Sequence, residues 1–272
     1  PHRLRPRGRG VKHVVMYSGG ICSWATACRV AERHGTDDLT LLFTDTKMED
    51  EDLYRFLRES AVQVGGELVE IADGRTPWEV FKDVRFLGNS RADPCSRILK
   101  RDLAKKWVED NCDPEDTTLY IGIDWSEFHR LKPVVRNWEP WVIEAPMTEP
   151  PYRTRLDMIE ALATVNIEPP RAYALGFPHS NCGGYCIKAG HAQFKLLLET
   201  LPDRYRWHEE QEEALRQHLG KPVAIMRDRR GGTSTPLTMR EFRERIEAGG
   251  QCDLFDWGGC GCFSDVGEED EA

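Results

Sequence analysis

The residues best suited to chemistry stand in one short run, Tyr17-Ser18-Gly19-Gly20-Ile21-Cys22-Ser23. Two glycines that can take positive φ and bring backbone N–H groups close to an anion are flanked by serine hydroxyls. A helix opening at Ser23 turns its positive end to the same spot, which makes a cradle for phosphate. A plain strand-to-helix turn uses the same residue types. The run lacks the lysine of a Walker loop and the third glycine of a dinucleotide fingerprint. The second reactive set is the cysteines, nine in all and clustered: Cys182 and Cys186 in one Gly-rich segment, Cys260 and Cys262 in another. Cys95, Cys182, Cys186 and one of Cys260 or Cys262 can gather on an iron–sulfur cluster or on structural zinc, or can act as free thiols that accept persulfide sulfur. The spacing is irregular for a metal site, Cys-x3-Cys in the first pair and Cys-Gly-Cys in the second.

These residues need a scaffold, and the pattern around them supplies one. Val14 to Tyr17 reads as a strand, Ser23 to His34 as a helix closed by Gly35, and Leu39 to Phe43 as a buried strand stopping at Thr44-Asp45-Thr46. Asp50 to Val64 carries apolar residues at helical spacing, and Glu67 to Ile71 alternates as a third strand. Strand, helix, strand, helix, strand implies right-handed crossovers and a parallel sheet, with ligands at the carboxyl ends of the strands. Ser18 and Asp45 fall at such ends. Arg97 to Val108 reads as a helix, Thr118 to Ile123 as a fourth strand and Val142 to Ala145 as a fifth. The fold class is therefore α/β, a doubly wound parallel sheet of about five strands. From Asp157 the pattern turns helical, and two charged helices, Arg204 to Leu219 and Met239 to Ala248, follow; Thr238 and Glu241 have capping-box spacing for the last. The expected organisation is a basic, disordered arm over 1–10, a nucleotide-binding domain over 11–168, a Cys-rich helical region over 169–264 beginning at Pro169-Pro170, and an acidic tail over 265–272.

With 272 residues, 40% of them hydrophobic and 31% charged, the chain is globular and can bury a large core. No apolar run approaches the ~18 residues of a membrane span, and the Arg-rich start lacks the apolar core of a signal peptide, so a cytoplasmic protein with no membrane partner is expected. A net charge of −9 excludes a wholly basic nucleic-acid binder. The sign is nonetheless uneven: Arg3, Arg5, Arg7 and Arg9 crowd the start, Asp265, Glu268, Glu269, Asp270 and Glu271 crowd the end, and Arg227, Arg229 and Arg230 form a basic loop suited to a phosphate backbone or to plain solvation. Tyr185, Trp207, Trp257 and Phe263 are either base-stacking or core aromatics.

The spacing Ser18-Gly19-Gly20-x-x-Ser23 resembles the pyrophosphate loop of the ATP-pyrophosphatase (PP-loop) superfamily, and four further segments follow in the order of its phosphoadenylylsulfate (PAPS) reductase-like branch. Phe43-Thr44-Asp45-Thr46, with Glu51 downstream, resembles the Asp-Thr motif by the adenosine. Cys95-Ser96-Arg97-Ile98-Leu99-Lys100-Arg101 resembles the Cys-x-x-x-Leu-Lys segment. Ile121-Gly122-Ile123-Asp124 through Glu127 and Arg130 resembles the Gly-Ile and Glu/Arg segment. Leu175-Gly176-Phe177 with Cys182-Gly183-Gly184-Tyr185-Cys186 resembles the Gly-Phe and paired-Cys ending. The similarity spans roughly residues 11 to 190. Cys22 stands where the loop of such relatives carries Asp, and the chain lacks the C-terminal Glu-Cys-Gly-Leu-His type segment that holds the nucleophile of PAPS reductases.

The resemblance implies an adenylating enzyme: ATP and Mg2+ bound, AMP placed on an acceptor oxygen, pyrophosphate released and AMP displaced by sulfur. The ATP-pyrophosphatase subunits of DNA phosphorothioation systems are of this kind, which implies DNA and a cysteine desulfurase or other sulfur donor as partners. It implies Ser18, Ser23, Lys100 and Arg130 as catalytic residues, and Tyr17, Ser18, Gly19, Gly20, Ser23, Phe43, Asp45, Thr46, Arg97 and Gly122 as the ATP site. Cys95, Cys182, Cys186 and Cys262 form the metal or sulfur-relay set, holding a [4Fe–4S] cluster or, alternatively, Zn2+. For the single residues plainer roles stay open: surface salt bridges for Arg97, Lys100 and Arg130, helix caps for Asp45 and Glu127, and a helix-end position for His191. Sulfonucleotide (PAPS or APS) reduction and a nucleotide-binding defence component without turnover are the alternative functions.

Overall fold

The structure, a computed structural model, describes residues 11–88 and 92–259. The basic arm, Cys260, Cys262, Phe263 and the acidic tail lie outside the described residues. The elements in order are β1 (Lys12–Met16), α1 (Ile21–His34), β2 (Leu39–Asp45), α2 (Glu51–Val64), β3 (Glu67–Ala72), α3 (Pro77–Asp83), α4 (Pro94–Ser96), α5 (Leu103–Asn111), β4 (Thr117–Ile121), α6 (Leu131–Asn137), β5 (Val142–Glu144), α7 (Arg155–Thr164), α8 (Arg171–Ala174), α9 (His191–Thr200), α10 (Pro202–Leu219), β6 (Met226–Asp228), β7 (Thr235–Leu237) and α11 (Met239–Glu247).

The first five strands form one sheet in the order β3-β2-β1-β4-β5, every pair parallel. Central parallel strands are covered on both faces, which is why β1 reads as an unbroken apolar run. Its side chains alternate between two cores. Val15 and Tyr17 pack with α1, α2 and α7 residues such as Trp24, Phe56 and Leu162, while Val14 and Met16 pack with Ala104, Val108 and Val134 of α5 and α6. The sheet is thus doubly wound, and the strand order reverses between β1 and β4, which opens a crevice at their carboxyl ends.

Three local features position the site. Asp50, not Asp45, caps α2 by accepting the Asp52 N–H at 2.9 Å. The expected single helix over 97–108 is broken in register: α4 and α5 are joined by a π-helical turn, Arg97–Asp102, whose extra residue re-aims Lys100 into the interior. The C-terminal helices build a third core in which Phe177, Tyr185, Phe194 and Tyr205 meet Met48, Trp78, Phe81 and Leu87 from the first half of the chain. The capping box of Thr238 and Glu241 opens α11. The basic loop 229–234 is the turn of a short antiparallel hairpin, β6–β7. Among the described residues no helix is long and apolar enough to cross a membrane.

Candidate active site

The loop between β1 and α1 is tightly specified. Gly19 has φ 75°, and a Cβ there would lie 2.8 Å from the Leu53 side chain. Across the crevice, a Cβ on Gly122 would lie 2.8 Å from the backbone nitrogen of Ser23 and 2.9 Å from its Cα, so the end of β4 can approach the start of α1 only as glycine. The buried Ser23 hydroxyl donates to Gly20 O at 2.8 Å and receives a bond from Ser18 Oγ at 3.3 Å. The N–H of Ile21, at the first turn of the helix, donates to the Tyr173 hydroxyl at 3.4 Å, and Ser180 Oγ donates to Gly19 O at 3.4 Å. The segment after Pro169-Pro170 therefore folds over the loop rather than away from it.

Ser18, Gly20, Ser23, Phe43, Lys100, Gly122 and Arg130 line one cavity of about 130 Å³ above the strand ends, together with Arg155, Tyr173 and Ser180. Cys22 also faces it. Burial, with Asp124 and Glu127 nearby, pushes the Cys22 thiol well above its ordinary value, so the residue that replaces the expected Asp is a neutral thiol. The carboxylates beside it come from the other side of the crevice. Asp124 caps the 3₁₀ turn Trp125–Arg130, accepting from Ser126 N–H at 2.8 Å, and Glu127 pairs with Arg130. Capping thus falls to Asp124 rather than Glu127.

A second cavity, of about 30 Å³, lies behind Lys100. It is lined by Cys95, Cys182 and Cys186 with Thr46, Asp93, Ser96, Tyr185, Lys188 and apolar side chains, so Cys95 shares one wall with the distant Cys182 and Cys186 pair. Lys100, 5% exposed, lines both cavities. Glu49, which the sequence did not single out, ties this region together. Its carboxylate accepts from Thr46 Oγ1 at 3.0 Å, lies 3.6 Å from Lys100 Nζ, and accepts the backbone N–H of Cys182. Cys182, Gly183 and Gly184 all have positive φ, a left-handed turn at the point where the Cys182 N–H meets Glu49. At the far side, Gly259 N–H donates to Lys188 O at 3.1 Å, so the described chain ends beside this cavity, one residue before Cys260.

Other expected residues lie elsewhere. Tyr17 is fully buried and its hydroxyl bonds to Ser60 at 2.5 Å, so its side chain turns into the core beneath the loop. Asp45 receives Lys47 N–H, Lys47 Nζ and the Tyr54 hydroxyl, each at 2.7 Å. Burial pushes its carboxyl up, but these bonds outweigh it and hold it below the ordinary value. Thr46 belongs to the thiol cavity, and Arg97 to a separate groove with Phe86 and Arg101. The π turn is the reason: it sends Lys100 inward and leaves Arg97 outside. Among the described residues no three His, Cys, Asp or Glu side chains converge on a single-ion site, so Cys95, Cys182 and Cys186 by themselves do not make a zinc site. His191 is the first residue of α9, with its ring 5.2 Å from that of Phe242. Tyr185 is core, whereas Trp207 and Trp257 are both 41% exposed. In the basic hairpin Arg227 donates to Ser234 O, and Arg230 and Arg245 both pair with Asp228.

No family model matches the chain, and no curated protein matches it. Among solved structures it is similar to the phosphoadenylyl-sulfate (PAPS) reductase from Candida auris in a phosphate complex, at 15% identity over 60% of this chain and 78% of that one, with a TM-score of 0.43. A likeness of that size decides no chemistry.

Proposed function

We propose that this protein is an AMP-forming ATP pyrophosphatase of the PP-loop kind that activates an acceptor oxygen for sulfur insertion, with a DNA backbone phosphate as the acceptor. The observation that carries the reading is Lys100, whose side chain is the common wall of a phosphate-suited cavity and a three-thiol cavity. Anion chemistry and sulfur chemistry therefore meet at one cation.

In this reading the acceptor oxygen attacks the α-phosphorus of ATP; the new P–O bond forms as the bond to the β-phosphate oxygen breaks. Pyrophosphate leaves toward Ser18, Gly20 and Ser23, whose fixed donors stabilise the charge that grows on it. Arg130 offers a planar fork to phosphate oxygens and Lys100 a point charge. Asp124 and Glu127 would hold Mg2+ through hard carboxylate oxygens, and a bound ion would neutralise phosphate charge. A sulfur nucleophile then forms a P–S bond as the P–O bond to AMP breaks; where the nucleophile is a persulfide on one of the cysteines, a second of the three thiols cleaves its S–S bond, which leaves a disulfide for an external thiol to reduce. Cys95, Cys182 and Cys186 are soft donors on one wall, three of the four thiolates that a [4Fe–4S] cluster takes, or thiols that would carry persulfide from a desulfurase.

The rim of the first cavity supports a nucleic-acid acceptor. Trp125, Phe128 and Tyr152 are 47%, 60% and 60% exposed, the Trp125 and Tyr152 rings lie 6.1 Å apart, and the three stand within a few residues in sequence of the cavity-lining Asp124, Arg130 and Arg155. Exposed rings beside arginines stack bases and hold phosphates.

The test is product analysis with ATP, Mg2+ and DNA. AMP and pyrophosphate are expected, with turnover falling on the order of a hundredfold in Ser23→Ala or Lys100→Ala. Release of ADP and phosphate would refute the proposal. Sulfite release from PAPS with a thiol donor would replace it by sulfonucleotide reduction, and tight ATP binding without AMP by nucleotide binding alone.

A further inference from the structure

Tyr185 is 1% exposed, and its hydroxyl has no hydrogen-bond partner among the described residues. Leaving a buried polar group unpaired costs about 1–3 kcal/mol, which phenylalanine at the same position would avoid. The ring is held in place. It stacks on His208 with centroids 3.7 Å apart and planes 7° from parallel, and it touches Trp78 and the edge of Phe194. His208 is itself fully buried and is anchored by Trp78, whose Nε1–H donates to His208 Nδ1 at 3.0 Å. Two buried aromatic side chains thus fix the direction of one phenol.

The surroundings say what that phenol serves. Tyr185 lines the same cavity as Cys95, Cys182, Cys186, Lys100 and Lys188. A phenol is protonated across the neutral range and donates, ammonium groups only donate, and thiolates accept. Lys188 lies 2.9 Å from Asp93 Oδ2, which lines the same cavity, and Lys100 lies 3.6 Å from Glu49, so carboxylates balance the cations and the three sulfur atoms share the cavity with the phenol; a donor beside three sulfur atoms matches an anionic sulfur ligand. We propose that Tyr185 is the hydrogen-bond donor to an anionic sulfur atom held among Cys95, Cys182 and Cys186, with Trp78 and His208 as positioning residues that lock the donor. This rests on the reading that the cavity handles sulfur, and it adds the residue that sets the sulfur's electron affinity. The sulfur is either sulfide of an iron–sulfur cluster or a cysteine persulfide, which present the same acceptor.

Tyr185→Phe tests this in the full chain, because it removes one oxygen and no packing. Wild type and variant are reconstituted anaerobically with ferrous iron and sulfide. Equal iron and sulfide content is expected, with a more negative midpoint potential in the variant, since a hydrogen bond to sulfur favours the more negatively charged reduced form. Thermal unfolding adds a sign test: the variant should match or exceed wild type when unloaded and fall below it when loaded. If iron does not bind, the proteins are treated with polysulfide, and the variant should lose cyanide-releasable sulfur several-fold faster. An unchanged potential, or equal sulfur loss in the polysulfide arm, overturns the proposal and leaves the hydroxyl to a trapped water. Uptake of neither iron nor sulfur overturns it too. AMP release on the same preparations is scored separately, so failure of the pyrophosphatase reading is distinguishable from failure of the tyrosine assignment.

Discussion

Gly122→Ala is the sharpest perturbation of the crevice. Gly122 needs no positive φ, so the substitution acts through space alone. The new methyl would lie 2.8 Å from Ser23 N and 2.9 Å from Ser23 Cα, and because ordinary contact begins near 3.4 Å the end of β4 and the start of α1 must part by about 0.6 Å. Both neighbours are backbone, so no side-chain rotation relieves the contact. Overpacking of this kind costs about 1–3 kcal/mol, and for a protein of this size that lowers the unfolding midpoint by roughly 2–10 °C. The larger effect is on function. The shift falls on Ser23 and the first turn of α1, and productive geometry tolerates only about 0.5 Å, so AMP formation should fall by about ten- to a hundredfold. Calorimetry, ATP titration and pyrophosphate release on the same preparation measure all of this. Unchanged unfolding together with unchanged ATP affinity would refute the close approach of β4 to α1.

Two further outcomes follow from other parts of the molecule. The buried carboxyl of Glu212 accepts N–H groups of Ile225 and Met239 at 2.8 and 2.6 Å, yet burial pushes it from 4.5 up to about 7. The folded state therefore binds the extra proton between those values, so stability should fall by about 3 kcal/mol as pH rises from 4.5 to 7; denaturant titrations should show that decline in wild type and its loss in Glu212→Gln. At the rim, Trp125→Ala should weaken single-stranded oligonucleotide binding about tenfold, the loss of one stacking contact of ~1–3 kcal/mol, with ATP affinity intact; equal binding in a fluorescence titration would remove the rim from the proposed acceptor site.

Much of the framework was legible in the chain because it depends on local pattern. The unbroken apolar run of β1, the glycines after it, the helical spacing of α2 and the alternation of β3 each reflect a periodicity that short-range sterics and burial impose. Those features fixed a parallel α/β sheet and placed Ser18 and Ser23 at a strand end. The irregular π turn was not legible, since nothing in Arg97–Asp102 distinguishes it from an ordinary helix, and it decides that Lys100 enters the site while Arg97 does not. Nor did the sequence single out Glu49, an ordinary acidic residue in the turn before α2, because its importance comes from Lys100 and Cys182, which only tertiary contact brings to it.

By itself, then, the sequence determined the strand–loop–helix cradle and the presence of thiols, for these are written in adjacent residues. The tertiary structure decided that Cys95, Cys182 and Cys186 share a wall, that the wall is joined to the phosphate-suited cavity by Lys100, and that the carboxylates facing Cys22 come from the end of β4. The physical reason is distance along the chain. Residues ninety positions apart meet only when the sheet order, the crossovers and the packing of the third core are all satisfied together, and no local rule encodes that juxtaposition.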